Sequence, residues 1–148
     1  MEVKELGHIV LYVKDMETSR HFYRDVLGWR EVASAGGQMA MFSSGRTHHE
    51  LLLIEVGPSA APVPPGRRLG LYHFGLKIGT TDEELREAFE SLVRAGATVV
   101  GSADHIVTHS LSIEDPDGNE IELYIDVQPE VWREDPQAIV APPRPLRI

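Results

Sequence analysis

Residues 115–126, which read DPDGNEIELYID, are the stretch that decides the fold. The first four residues are typical of a tight turn, and those that follow alternate as in a β-strand. One face of this strand is aliphatic and carries Ile121, Leu123 and Ile125. The other face is polar and carries Glu120, Glu122 and Tyr124. If the polar face meets water, the glutamates are ordinary surface charge; if it lines a cavity, a cation must balance a carboxylate there.

The composition is that of one folded domain. The chain has 148 residues, a formal net charge of −9 and no cysteine. The negative charge argues against a nucleic-acid-binding face and against anchoring to anionic lipid. The missing cysteines exclude a disulfide framework or thiolate metal site and favour a reducing compartment. Neither a signal-peptide pattern nor an apolar run long enough for a membrane span is found, so we expect a cytoplasmic protein.

Two parts of the chain repeat one order of elements. Residues 5–56 and residues 70–126 each predict a strand, a helix and then three strands. The linker, residues 57–69, is rich in Pro, Gly and Ala. We expect the proline-rich tail, residues 127–148, to lack regular structure and to lie on the surface, pinned by Trp132.

Each repeat contains one amphipathic helix. Asp15 is the expected N-cap of the first helix, whose inward residues are Phe22, Val26 and Leu27 before Gly28 ends it. Thr81 and Glu84 form the capping box expected for the second, whose inward residues are Leu85, Phe89 and Leu92 before Gly96. A helix covers only one face of its sheet, and two bare faces can curl around a shared cavity. We therefore predict one α+β domain over residues 1–148, with two βαβββ modules forming a curled sheet around a metal-binding cavity.

The alternation of residues between the two faces of each strand predicts candidate metal ligands. His8 lies on the less apolar face of the first strand of its repeat, and His73 occupies the same place in the second repeat. Glu122 lies on the less apolar face of the last strand. Two imidazoles and one carboxylate make a facial triad, typical of non-heme Fe(II) sites, although Mn(II), Ni(II) or Zn(II) also suit these ligands.

Three motifs resemble a known superfamily. They are LGHIVLYVKDMETSRHFYRDVLGW (residues 6–29), GLYHFGLKI (residues 70–78) and DPDGNEIELY (residues 115–124). Together they resemble the vicinal oxygen chelate superfamily, which contains glyoxalase I, extradiol ring-cleaving dioxygenases and bleomycin-sequestering proteins. One scaffold serves many reactions in this group, so the motifs indicate the fold more than the chemistry.

RTHHELLL (residues 46–53) and ADHIVTHSLSIEDPDGNEIELY (residues 103–124) most resemble small catechol 2,3-dioxygenase-like members. The resemblance implies a homodimer that cleaves a small aromatic diol with O2. It implies that Fe(II) is held by His8, His73 and Glu122. It makes His49 the catalytic acid/base residue and gives the substrate pocket His105, Ser112 and Tyr124. Ser112 stands where the dioxygenase pattern usually has a tyrosine, which alters a hydrogen-bond donor.

Two other functions stay open. A glyoxalase I-like lyase or isomerase would use four ligands, and Glu55 is the possible fourth. An ungapped match of the repeats instead places Leu52 opposite Glu122, which favours three ligands. A metal-free binding protein that sequesters a small molecule, as bleomycin resistance proteins do, would have an apolar pocket and no turnover.

Overall fold

The structure, a computed structural model, describes all 148 residues and divides into two compact units, Met1–Val63 and Pro64–Ile148. Each unit contains one sheet, and each sheet contains one parallel pair of strands among antiparallel neighbours. The predicted α+β class and the two βαβββ modules are confirmed. None of the helices combines the length and the apolar character that crossing a membrane requires.

The first unit has the predicted order of elements. They are β1 (Ile9–Val13), α1 (Met16–Arg20) with a π-helical turn (His21–Val26), β2 (Glu31–Ala35), β3 (Met39–Phe42) and β4 (Leu51–Glu55). The strand order is β1-β4-β3-β2, and β1 runs parallel to β4. The first and last strands of the module are therefore neighbours, and the crossover between them carries α1.

The π-helical turn changes which residues the first helix buries. Asp15 caps α1 as predicted, accepting a hydrogen bond of 2.8 Å from the amide of Thr18. Phe22 and Tyr23 are both buried and meet edge to face, with ring centroids 5.1 Å apart. Val26, predicted to face inward, is only half-buried. The wider i→i+5 turn rotates the inward face by about one residue, so two consecutive aromatic rings reach the core.

The second unit repeats this plan and extends it. Its module consists of β5 (His73–Gly79), α2 (Asp82–Arg94), β6 (Thr98–Asp104), β7 (Thr108–Glu114) and β8 (Glu120–Asp126). The strand order is β5-β8-β7-β6-β9, with β5 parallel to β8. The capping box of Thr81 and Glu84 is present as predicted, and Leu85 and Leu92 of α2 are buried.

The tail has more regular structure than predicted. It forms α3 (Pro129–Glu134), a 3-10 turn (Pro136–Val140) and β9 (Arg144–Pro145), which pairs with β6. The expectation of an irregular tail was wrong because Pro129 and Pro136 each fall in the first turn, where no backbone donor is needed. Trp132 does not pin the tail: it is 42% exposed and lies beside the guanidinium of Arg133.

The two faces of each sheet differ as the alternation predicted. The residues buried on the helix-covered faces are Leu11, Val13, Leu51, Leu53, Ile121, Leu123 and Ile125. On the opposite faces, Val10 and Tyr12 of β1 are exposed, whereas Glu122 and Tyr124 of β8 are half-buried. The polar residues of β8 therefore neither join the core nor lie fully in water.

Candidate functional site

Glu122 occupies the middle of the polar face of the second sheet. It is the register partner of Gly75 on β5 and of Ser112 on β7. His73 opens β5 two residues before Gly75 and pairs with Glu120. Because paired residues project on the same face of a sheet, one imidazole and two carboxylates share this face.

Two histidines approach the Glu122 carboxylate. His73 Nε2 lies 3.6 Å from one carboxylate oxygen, and His105 Nε2 lies 3.4 Å from the other. With metal–ligand bonds of about 2.0–2.2 Å, two adjacent ligands lie about 3.0–3.6 Å apart. The spacing of His73 and Glu122 therefore fits two ligands of one divalent cation.

The environment of His73 supports the same conclusion. Its Nδ1 atom is buried and has no hydrogen-bond partner, one of two such side-chain atoms in the structure. Its Nε2 is too far from Glu122 for a good hydrogen bond. The Nε2 atom therefore faces a half-buried carboxylate without bonding to it, an arrangement that suits two groups whose shared partner is a cation.

The missing side chain of Gly75 makes room for this group. A Cβ atom there would lie 3.3 Å from Cε1 of Tyr124 and 3.8 Å from Oε2 of Glu122. The tyrosine ring therefore rests against the backbone of β5. Burial is the largest cause of the raised pKa of Tyr124, and the charge of Asp126 adds to it. The Tyr124 hydroxyl consequently keeps its proton at neutral pH and can donate a hydrogen bond.

An unusual turn holds His105. Ile106 has φ 73°, the left-handed region that β-branched residues rarely adopt. The amide of Val107 donates to the carbonyl of His105 at 2.9 Å, which closes a three-residue γ-turn. The amides of His105 and Ile106 donate to Thr108 O and to a carboxylate oxygen of Asp104. Three hydrogen bonds thus fix the backbone that carries His105.

Sequence reasoning missed Tyr72, which directly precedes His73. Its ring meets the His73 ring at a centroid distance of 4.5 Å and an angle of 61°. The charge of Glu120 is the largest cause of the raised pKa of Tyr72, and burial adds to it. The only sequence signal was its position beside a candidate ligand.

The first unit contains a cluster of three histidines. The ring centroids of His8 and His49 lie 4.6 Å apart, and those of His48 and His49 lie 4.5 Å apart. The Nδ1 atoms of His48 and His49 are 2.6 Å apart, so one donates and the other accepts. Burial lowers the pKa of His49, and the charges of His48 and His8 lower it further. His49 is therefore neutral at pH 7, the state that a proton acceptor needs.

Glu55 points away from the face on which a fourth ligand would lie. Its side chain is on the helix-covered face of β4, and its carboxylate accepts a hydrogen bond of 2.7 Å from the amide of Met16. The backbone register settles the comparison of the repeats: β4 pairs Leu52 with Val10, as β8 pairs Glu122 with Gly75. In this structure Glu55 is an acceptor at the start of α1, and its possible role as a fourth ligand stays a prediction.

The remaining residues have separate partners. His109 contacts the Asp82 carboxylate at 2.6 Å, on the helix-covered side of the sheet. Glu50 accepts hydrogen bonds from the amide and hydroxyl of Ser44 and pairs with Arg46. Within each unit, no group of three or more His, Asp or Glu side chains is arranged to hold a metal ion. The His73–Glu122 pair lies in the second unit, and the cluster that contains His8 lies in the first.

The fold and the His73–Glu122 pair are consistent with the protein family whose model matches this chain. The chain belongs to the Glyoxalase/Bleomycin resistance protein/Dioxygenase superfamily, whose family model matches residues 5–123. That match confirms the superfamily inferred from the sequence motifs.

Three similar proteins illustrate the range of the superfamily. A catechol-2,3-dioxygenase from Bacillus subtilis (strain 168) is 33% identical over 134 residues, which are 90% of this chain and 46% of that enzyme. A glyoxalase/dioxygenase from Nostoc punctiforme has the same fold, with a TM-score of 0.70 and 24% sequence identity. The superposition covers 83% of this chain and 91% of that one. A lactoylglutathione lyase from Agrobacterium tumefaciens is 25% identical with a TM-score of 0.63, covering 84% of this chain and 96% of that one. The chain thus spans less than half of the length of the dioxygenase.

Proposed function

We propose that this chain is a metal-dependent, extradiol-type ring-cleaving dioxygenase of the catechol 2,3-dioxygenase kind, acting on a small aromatic diol with O2. The observation that carries the proposal is the 3.6 Å approach of His73 Nε2 to the Glu122 carboxylate, which is too long for a good hydrogen bond and fits two ligands of one cation. The similarity to the Bacillus subtilis catechol-2,3-dioxygenase supports this choice of reaction.

The proposed ligands are His8, His73 and Glu122. His8 precedes β1 by one residue, and His73 opens β5, so the two stand two positions before the equivalent residues Val10 and Gly75. Fe(II) is the metal we propose, since two imidazoles and one carboxylate are its usual set; Mn(II), Ni(II) and Zn(II) share these ligands. When bound, the ion supplies open positions for both oxygens of a diol and for O2, and it lowers the pKa of the diol.

The protein side chains have distinct proposed roles. His49, whose neutral form is favoured, accepts a proton from the diol hydroxyl. Tyr124 keeps its phenolic proton and donates a hydrogen bond within the pocket. Ser112, beside Glu122 in the sheet, offers a shorter hydroxyl than a tyrosine would. His105 borders the carboxylate and forms part of the pocket.

The test is metal analysis followed by anaerobic titration with catechol. We expect one Fe(II) per chain in protein purified without chelators, and a new absorption band when catechol is added before oxygen. Glu122→Gln and His73→Ala each remove a ligand and should lose tight metal binding. Glu130→Gln on α3, which is exposed, is the matched control and should bind as the wild type does. Unchanged metal content in both ligand variants would refute the proposed site.

A glyoxalase-like lyase is the second candidate, and the similarity to the Agrobacterium tumefaciens lyase favours it. It predicts a preference for nickel or zinc and the involvement of a second carboxylate, which the position of Glu55 at α1 does not support. A metal-free sequestering protein would instead show neither bound metal nor turnover. A homodimer remains a prediction, which light scattering of the purified protein would test.

A further inference from the structure

The His73 imidazole lacks the partner that usually orients a metal-binding histidine. Such residues ordinarily donate their second ring N–H to a carboxylate, a backbone carbonyl or a water molecule, which fixes the ring. The Nδ1 atom of His73 is buried and contacts no acceptor. Some other group must hold the ring if its Nε2 is to face Glu122.

Tyr72 is the one aromatic ring that contacts this imidazole. Its ring lies against that of His73 in an edge-type arrangement, at a centroid distance of 4.5 Å. Such contacts have a preferred geometry and therefore restrict rotation of both rings. Tyr72 is itself 68% exposed, so its ring contributes little to the core.

The neighbouring strand places a carboxylate near Tyr72. Glu120 is the register partner of His73 across β5 and β8, and its charge is the largest cause of the raised pKa of Tyr72. The Tyr72 side chain therefore lies near this carboxylate while its ring contacts the imidazole. The ring contact in turn adjoins the imidazole whose Nε2 faces Glu122.

We propose that Tyr72 is the positioning residue for His73, replacing by ring contact the hydrogen bond that Nδ1 lacks. This inference rests on the proposed function, in which His73 binds a metal ion. It assigns Tyr72 no contact with the metal or with substrate: the tyrosine restricts the imidazole to the orientation in which Nε2 and the Glu122 carboxylate face the same point.

The first experiment needs no metal. The ring protons of His73 are assigned by NMR in the metal-free full chain, and the variant Tyr72→Ala is compared with Tyr72→Phe. Removing the ring should shift and broaden the His73 signals, because the ring current and the restriction of rotation are both lost. Tyr72→Phe, which keeps the ring, should give signals close to those of the wild type. Trp132→Ala, which removes a partly exposed ring of the tail, is the control and should leave them unchanged.

The second experiment measures the affinity for Co(II) by competition with a chromophoric chelator. Loss of a group that orients a ligand typically costs about 10–100-fold in metal affinity, so Tyr72→Ala should weaken binding by that factor. Tyr72→Phe should retain most of the affinity. The melting temperature of the metal-free variants should stay that of the wild type, since Tyr72 is exposed.

The outcomes separate this inference from the proposed function. If the wild type binds Co(II) and Tyr72→Ala binds it equally well, the positioning role is wrong and the metal site stands. If the wild type binds no divalent ion, the proposed function fails, and the metal-free NMR comparison alone decides whether Tyr72 orders His73. Loss of affinity in Tyr72→Phe as large as in Tyr72→Ala would also overturn positioning by the ring.

Discussion

Gly75 and Glu122 are partners across the parallel pair of β5 and β8, and the absence of a side chain at Gly75 leaves the space that the Tyr124 ring occupies. An added Cβ would lie 3.3 Å from that ring, closer than ordinary van der Waals contact. The glycine is therefore needed for close approach, since its φ is not in the left-handed region.

Gly75→Ala should displace Tyr124 and, with it, the Glu122 carboxylate. Overpacking of this kind typically costs about 1–3 kcal/mol, and we expect the lower end because Tyr124 is half-buried. The affinity of Gly75→Ala for the metal ion should fall more strongly than its free energy of unfolding does. Thermal unfolding and metal titration measure the two effects. Gly101→Ala in β6, where a Cβ meets nothing within 4 Å, is the matched control; equal behaviour of the two variants would contradict the prediction.

Glu55→Gln should affect the helix and not the metal. The carboxylate accepts the Met16 amide at the positive end of α1, and removing such a charge costs about 0.3–1 kcal/mol. Chemical denaturation should show this loss, whereas metal stoichiometry and affinity should match the wild type. A tenfold loss of metal affinity would instead restore Glu55 as a ligand and favour the lyase.

His49→Ala should retain the metal and lose catalysis. General acid–base catalysis contributes about 10²–10⁴-fold, so turnover of a catechol should fall by that factor. Stopped-flow and steady-state oxygen consumption measure the loss. His21→Ala is the control, because His21 is exposed and pairs only with Asp25 of the same helical segment. Equal turnover in His49→Ala and the wild type would leave His49 without a catalytic role.

Ser112→Tyr should raise kcat/KM for catechol. A tyrosine hydroxyl extends farther from β7 than a serine hydroxyl, and the register partner of Ser112 on β6 is Gly101, which leaves room for a ring. The gain should lie in kcat if the phenol interacts with the reacting oxygens. No change in either constant would indicate that the wild-type pocket suits a different chelating substrate.

The capping box of α2 should make stability depend on pH. Hydrogen bonds from the Thr80 amide and from Thr81 hold the pKa of Glu84 below its ordinary value. A carboxyl group whose pKa is lower in the folded state than in the unfolded state stabilises the folded protein at pH values above the unfolded-state pKa. This contribution is lost as the pH falls through the folded-state pKa. The melting temperature of the wild type should therefore exceed that of Glu84→Gln at pH 7. The difference should shrink below about pH 4.

Scans from pH 7 to about pH 3 test this, with Glu87→Gln on the same helix as the control. A difference between the wild type and Glu84→Gln that does not depend on pH would show that Glu84 acts through hydrogen bonding alone.

Much of this architecture was predictable from local patterns. The alternation of Ile121 with Glu122 predicts which face is buried, and the pairing of Thr81 with Glu84 predicts where α2 begins. Both signals depend only on residues a few positions apart. The π-helical turn that buries Tyr23 has no such signal, because a turn of this kind is decided by packing against neighbouring strands.

The candidate site was likewise only partly predictable from the sequence. The alternation of residues along β5 and β8 predicts that His73 and Glu122 lie on the polar face. The contact of Glu55 with α1 instead depends on the crossover between β1 and β4. The contact of Tyr72 with His73 depends on ring orientation, which no sequence pattern encodes. The tail was misjudged for another reason: proline content argues against helix interiors, and both prolines lie at helix starts.

Leu52 pairs with Val10 in the first repeat as Glu122 pairs with Gly75 in the second, so positions 52 and 122 are equivalent. The two positions should nevertheless differ in how they tolerate mutation. In the proposed site a cation balances the half-buried carboxylate at position 122, so most substitutions there would change the electrostatics of the whole face. At position 52 only shape and apolar character are required. Saturation libraries at these two matched positions should therefore yield few functional variants at one and many at the other, although the backbone around them is the same.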